Sequence, residues 1–112
     1  MEELEIVKGI LNSYPYFIVF VDNEYMIRFM NKTAQDHYHK KGKNLIGKSI
    51  FDCHNERSVE RIKNTYEEIK RTGKEVFIFV NSKNQRVYMQ GVKNEKDEWI
   101  GFIERFELNL QI

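Results

Sequence analysis

Cys53 and His54 stand side by side in a chain that has one cysteine and three histidines, and they are the only adjacent pair with metal-ligating potential. A thiolate or a neutral imidazole can hold haem iron, and either responds to redox state or bound gas. The same residues also fit a plainer role: Cys53 as a small buried hydrophobe, and His54 as a hydrogen-bonded loop residue that orders the following helix. His37 and His39 lie two apart on a predicted helix and point about 200° away from one another at 3.6 residues per turn, so they do not chelate one ion together. A structural zinc site needs more Cys and His ligands than these, so no resident structural metal is expected. The Tyr66 hydroxyl needs a partner if buried, which leaves it either in the core or reaching into a pocket. Arg28 and Gln90 interrupt apolar strands and face either a ligand or solvent, because strand residues alternate. Glu67 and Glu68 are adjacent on a charged helix face, where solvation explains them. There is no phosphate-cradling glycine loop, nucleophile elbow or His-Glu-x-x-His helix, so no enzyme is expected.

The elements that must position these residues can be read from periodicity. Leu4, Val7, Leu11 and Tyr14 recur at spacings of three and four with Ile6 and Ile10 beside them, an amphipathic helix over residues 2–14 that Pro15 ends. Its apolar seam is about two heptads long, too short for a coiled coil alone. Packed across its own sheet or against a second copy it closes an interface, and both arrangements stay open. Tyr16–Val21 and Tyr25–Met30 form a hairpin around Asp22-Asn23-Glu24. Asn31 caps a helix running to about Lys40, and Gly42 marks its end. Asn44–Gly47 reads as one helical turn and Lys48–Asn55 as an irregular loop with Ile50 and Phe51 turned inward. Val59, Ile62, Tyr66 and Ile69 define the longest helix, with Lys70 and Arg71 in its last turn and Gly73 as the stop. Glu75–Val80, Arg86–Val92 and Glu98–Leu108 form a three-stranded meander with polar turns. The order predicts an α+β fold, with one face of a five-stranded antiparallel sheet covered by helices.

Bulk properties bound the function. The 112 residues make one domain, with an N-terminal helix over 1–14 and a core over 15–108. With 18 basic and 17 acidic residues the net charge is +1, so nucleic acid is not an expected partner. The longest apolar run, Tyr16–Val21, is far short of the roughly 20 residues that span a bilayer, so no membrane segment is expected. The acidic start, Met-Glu-Glu-Leu-Glu, is unlike a secretory signal, and a cytoplasmic location is expected. Eight Phe, six Tyr and one Trp can fill a small core or wall a pocket.

Three segments in this order resemble a PAS domain: the hairpin Phe17–Asn31, the turn Leu45-Ile-Gly-Lys48 and the closing Trp99-Ile-Gly-Phe-Ile-Glu104. The resemblance covers residues 11–106. Phe51-Asp-Cys-His-Asn-Glu-Arg-Ser58 is further similar to the Cys-His-x-x-x-Ser segment of a subgroup found with hemerythrin-like domains. The resemblance implies a sensor with a pocket between sheet and middle helices, and it places His54, Cys53, Tyr66, Ile62, Phe51 and Asn31 as the pocket or cofactor residues. It also implies output through a protein partner or a homodimer. Flavin photosensors of this family carry Gly-x-Asn-Cys-Arg-Phe-Leu-Gln after the turn. Here Gly47-Lys-Ser-Ile-Phe-Asp-Cys-His54 has the cysteine three places late and lacks the Asn and Gln. Photoactive yellow proteins carry their chromophore on a cysteine further along than Cys53. Oxygen-binding haem sensors place a ligand His just before the third strand, where Ile69–Lys74 has none. Haem through His54 or Cys53, flavin, another small molecule, or a ligand-free interaction module therefore all stay open.

Overall fold

Ile62, Tyr66 and Ile69 fall on one face of a helix, α3 (Glu56–Thr72), and are almost wholly buried against a sheet. The computed structural model describes residues 1–53 and 56–110, with the side chains of Cys53, Glu56 and Arg57 outside that description. Before α3 come α1 (Glu3–Ser13), β1 (Ile18–Asp22), β2 (Ile27–Met30), α2 (Lys32–Lys40) and a short 3-10 turn (Ile50–Cys53). After it come β3 (Val76–Val80), β4 (Gln85–Lys93) and β5 (Trp99–Leu108). All pairings are antiparallel in the order β2-β1-β5-β4-β3, so the last strand sits at the centre and joins the opening hairpin to the closing meander. The predicted α+β architecture is therefore present.

One local device closes all three hairpins. Asp22 accepts from the N–H groups of Glu24 (2.9 Å) and Met26 (3.0 Å) through Oδ1. Asn81 does the same for Lys83 and Gln85, and Asn94 for Lys96 and Glu98, all within 2.9–3.0 Å. Three residues after each Asx stands a left-handed residue, Tyr25 (φ 63°), Asn84 (58°) or Asp97 (64°). This is the Asx-turn plus left-handed residue expected of a three-residue hairpin loop. At the sheet centre, Gly101 (φ 151°) lets β5 approach β1 so closely that a Cβ there would lie 2.1 Å from the Val21 carbonyl oxygen.

Asn44–Gly47 departs from the helical turn that the sequence suggests. Lys48 donates to the Leu45 carbonyl (3.1 Å) with Gly47 at φ 90°, a type II β-turn. The competing interaction is with β2: Gly47 donates to the Ile27 carbonyl (2.7 Å), and Ile27 donates to that of Lys48 (2.9 Å). Met26 and Ser49 bridge alongside, so the segment expected to be irregular begins as an extension of the sheet. No residue of α1 is buried, and its most extensive packing is against α2.

One of the groups that hold α1 there is Asn31, fully buried between β2 and α2. Its Oδ1 accepts from Ala34 N–H (3.2 Å), capping α2, and from Ile18 N–H (3.1 Å), at the start of β1. Its Nδ2 donates to the Tyr16 carbonyl (2.8 Å) and lies 3.3 and 3.4 Å from those of Leu11 and Tyr14 at the end of α1. Asn31→Ala removes the cap and leaves buried backbone groups unpaired, so unfolding stability should fall by about 2–4 kcal/mol. Asn31→Asp keeps the acceptor and should lose less at low pH than at neutral pH, because an ionised carboxylate would face three carbonyls. Equal losses for Asn31→Asp at both pH values in urea titrations would contradict this reading.

Candidate functional site

Along β5 the side chains of Phe102, Glu104 and Phe106 point to the helix-covered face, while Ile103, Arg105 and Glu107 point away. Phe102 is wholly buried under Tyr66, with ring centroids 5.1 Å apart. Two positions on, Glu104 stands opposite Val19 of β1 and Met89 of β4, a carboxylate in the middle of an apolar face. Packing is incomplete there. A cavity of about 250 Å3 lies between β3–β5, α2 and α3, with Ile62, Val87, Met89 and Phe106 as apolar wall and Tyr38 and Glu104 as polar groups. Neither Tyr38 nor Glu104 is without a partner. A smaller space of about 50 Å3 continues past Tyr38 and Glu104 toward Met30 and Leu45.

α3 supplies the rim. Arg61 donates to the Ile78 carbonyl (2.8 Å), tying α3 to β3, and Thr65 turns its hydroxyl back to the Arg61 carbonyl (2.7 Å) while flanking the cavity. A wider concavity of about 810 Å3 flanks the outer side of α3, but its lining residues all belong to that one helix. It is a solvated helix flank, not an enclosed site.

Of the residues singled out from the sequence, Ile62 lines the cavity. Tyr66 is 1% exposed, and its hydroxyl donates to Oδ1 of Asn23 in the β1–β2 loop. Burial pushes its pKa up to about 12. Phe51 packs on Tyr25 (4.7 Å between centroids) beneath Lys63, and Asn31 is spent on backbone groups of α1, β1 and α2. His54 and the Cys53 side chain lie outside the described residues. His37 stacks on Phe17 (5.2 Å). Arg28 and Gln90 are exposed, with Arg28 paired to Asp22 (3.3 Å). Among the described residues no group of three or more His, Cys, Asp or Glu is placed to hold a metal ion, and no helix is long and apolar enough to cross a membrane. The residue that sequence reasoning missed is Glu104. Its signal is a charge two residues from Phe on either side, at a position the strand's alternation turns inward.

A five-stranded antiparallel sheet holding a part-filled cavity under its helices defines a sensor-type fold, and the comparisons give the family. The profile of the PAS domain family matches residues 7–106. The chain belongs to the PAS domain family. Among solved structures it is similar to a C-terminal domain from Streptococcus mutans (18% identity, TM-score 0.73, covering 93% of this chain and 83% of that one). It is also similar to a PAS domain from Colwellia psychrerythraea (14%, 0.69, 95% and 96%). A third is a sensory box sensor histidine kinase from Vibrio cholerae (14%, 0.60, 93% and 87%). At these identities the likeness concerns the fold. No curated protein matches the chain.

The Tyr66 environment makes a pH prediction. Its folded pKa, about 12, lies above the ordinary value of 10.0, so the folded state holds the proton more tightly. The stability this contributes is complete below about pH 10 and is lost as pH rises toward 12. Tyr66→Phe should lower stability at neutral pH by about 1 kcal/mol, through the lost hydrogen bond to Asn23, and flatten the decline above pH 10. Parallel alkaline profiles for the two proteins would remove the assignment.

Proposed function

We propose that this PAS domain is a sensory module that takes a small molecule into the cavity between sheet and α3 and relays occupancy through α1 to a second copy of the chain. The observation that carries the reading is the position of Phe106. Its ring walls the cavity, while its backbone carbonyl accepts a hydrogen bond from the Tyr14 hydroxyl at the C-terminal cap of α1. Its N–H is held by the Phe17 carbonyl (3.0 Å), so a ligand that displaces the ring pushes on the segment that ends α1. The lining is mostly apolar, with Glu104 as the acceptor within and Arg61 at the rim. That chemistry suits a small, largely apolar molecule bearing a hydrogen-bond donor. At about 250 Å3 the cavity lies just under the roughly 300–1,000 Å3 of sites for drug-sized ligands, which favours a ligand smaller than haem or a flavin. Signalling by contact requires no catalytic group, and a cytoplasmic setting suits such a module.

Val87→Phe should fill the cavity from β4. A compound that stabilises the wild-type protein by about 2.7 kcal/mol at a hundredfold excess over its Kd should lose that effect in the variant, while the folded spectrum persists. Native mass spectrometry of freshly purified protein reads the same point directly. If the wild-type and Val87→Phe proteins carry and bind the same compounds, the cavity is not the sensor.

The output surface is suggested by α1, where Leu4 is 61%, Ile6 45%, Val7 43% and Ile10 64% exposed. Four apolar residues bared on one short helix are more than isolated surface hydrophobes. A second copy of α1 laid against them would cover the stripe. Sedimentation equilibrium should show a dimer for the wild-type chain, with Ile10→Glu weakening it by about tenfold or more. A monomer at all concentrations would leave the output to a different protein.

A further inference from the structure

A second cavity, of about 190 Å3, sits beyond the sensor cavity, where α2 meets the β3–β4 turn. Its floor is aromatic: Phe17 packs on Phe106 (5.0 Å) and on His37 (5.2 Å). Its rim is basic and polar, with Lys41 at the end of α2 on one side, and Ser82 and Lys83 of the turn on the other. Asn81 is already committed, its Oδ1 accepting from Lys83 and Gln85 N–H and its Nδ2 donating to Gln85. The turn is thereby fixed, and Lys83 is carried on a rigid support opposite Lys41.

His37 lies near several cations: Lys41, Lys83 and Lys40 all act on its ring. Together with partial burial they hold its pKa below 6.5, burial being the larger cause. Lys41 and Lys83 both line the pocket, and like charges gathered at one concavity repel, a repulsion that a bound dianion relieves. Lys83 and Lys41 come from segments more than forty residues apart in sequence, so the tertiary fold, not a local basic run, brings them together.

We infer that this cavity binds the phosphoryl group of a small phosphate ester, held between Lys41 and Lys83 with the His37 ring as a third donor and the Phe17 face beneath the ester body. Ammonium groups bind a phosphoryl dianion as point charges, and an imidazolium adds a charge-assisted hydrogen bond. Phe106 is common to this site and the sensor cavity, so occupancy of either bears on the same ring. The inference stands apart from the sensor reading, because it needs no ligand in the inner cavity.

His37 reports on the site directly. Its ring resonances are followed against pH by NMR, with inorganic phosphate and with sodium chloride at equal ionic strength. Phosphate should raise the His37 pKa by about half a unit more than chloride does, equivalent to about threefold tighter phosphate binding to the imidazolium form. In the double variant Lys41→Gln, Lys83→Gln, the phosphate-free pKa should rise, because repulsion is gone, and phosphate affinity should fall about tenfold or more. Lys8→Gln on α1 should keep the full response. Phenyl phosphate should bind more tightly than inorganic phosphate if the ester body lies on Phe17. An equal shift in chloride, or an undiminished phosphate response in the double variant, overturns the site. Loss of compound binding in Val87→Phe leaves these outcomes untouched, so the two proposals fail separately.

Discussion

The side chain of Asn31 is the constraint through which the rest of the molecule is assembled. A primary amide has an acceptor with two lone pairs and two donor hydrogens, and in Asn31 both ends are engaged. The acceptor joins the start of β1 to the first turn of α2, and the donor reaches back to the peptide groups that end α1 and lead out of it. Three elements from different parts of the chain are thereby referenced to one buried group. Removing it costs more than one hydrogen bond, because several peptide groups lose their partner at once and that of Ala34 is buried. Tyr14 adds a second tie from the same place, donating to Phe106 on β5. The end of α1 is thus fixed to both β1 and β5 while its apolar stripe stays uncovered.

The sheet order follows from another economy of the chain. β5 has a partner on each side, β1 and β4, and its inward residues therefore sit at the centre of the covered face. Phe102 fills its share of that face under Tyr66. Glu104 does not, because a carboxylate cannot be packed like a phenylalanine without leaving lone pairs to satisfy. The cavity lies around that residue, and the apolar side chains of Ile62, Val87 and Met89 form walls because the position facing them is polar.

The parts of this arrangement that could be read from the sequence are those written in local spacing. Ile62, Tyr66 and Ile69 mark a helix face whatever the fold, and each strand was legible to within two residues of its observed ends. The cap at Asn31 was legible because an Asn between a strand and a helix satisfies α2's first turn. Its bonds to Leu11, Tyr14 and Tyr16 were not, since they depend on where α1 and β1 arrive in space. Asn44–Gly47 was misread as helical because a type II turn and a glycine-closed helical turn share a glycine ending, and only pairing with Ile27 separates them. The hairpin turns were visible as polar clusters. Their common Asx geometry could have been anticipated from Asp22, Asn81 and Asn94 alone. Glu104 was overlooked because the inward set of a strand is known only when its register is, and β5 has two partners to set it.

The same geometry makes Phe106 the residue at which inner space and outer helix meet. A ring that walls a cavity can rotate into another rotamer when the space is filled, whereas its peptide group is fixed by the ladder to β4 and by Phe17. In the proposed relay a filled cavity would load the backbone at a point that the Tyr14 side chain tethers to the end of α1. α1 buries none of its own residues, so it offers little packing resistance to a small reorientation about that tether. In the proposed relay, what covers Leu4, Val7 and Ile10 would supply the difference in free energy between two positions of α1.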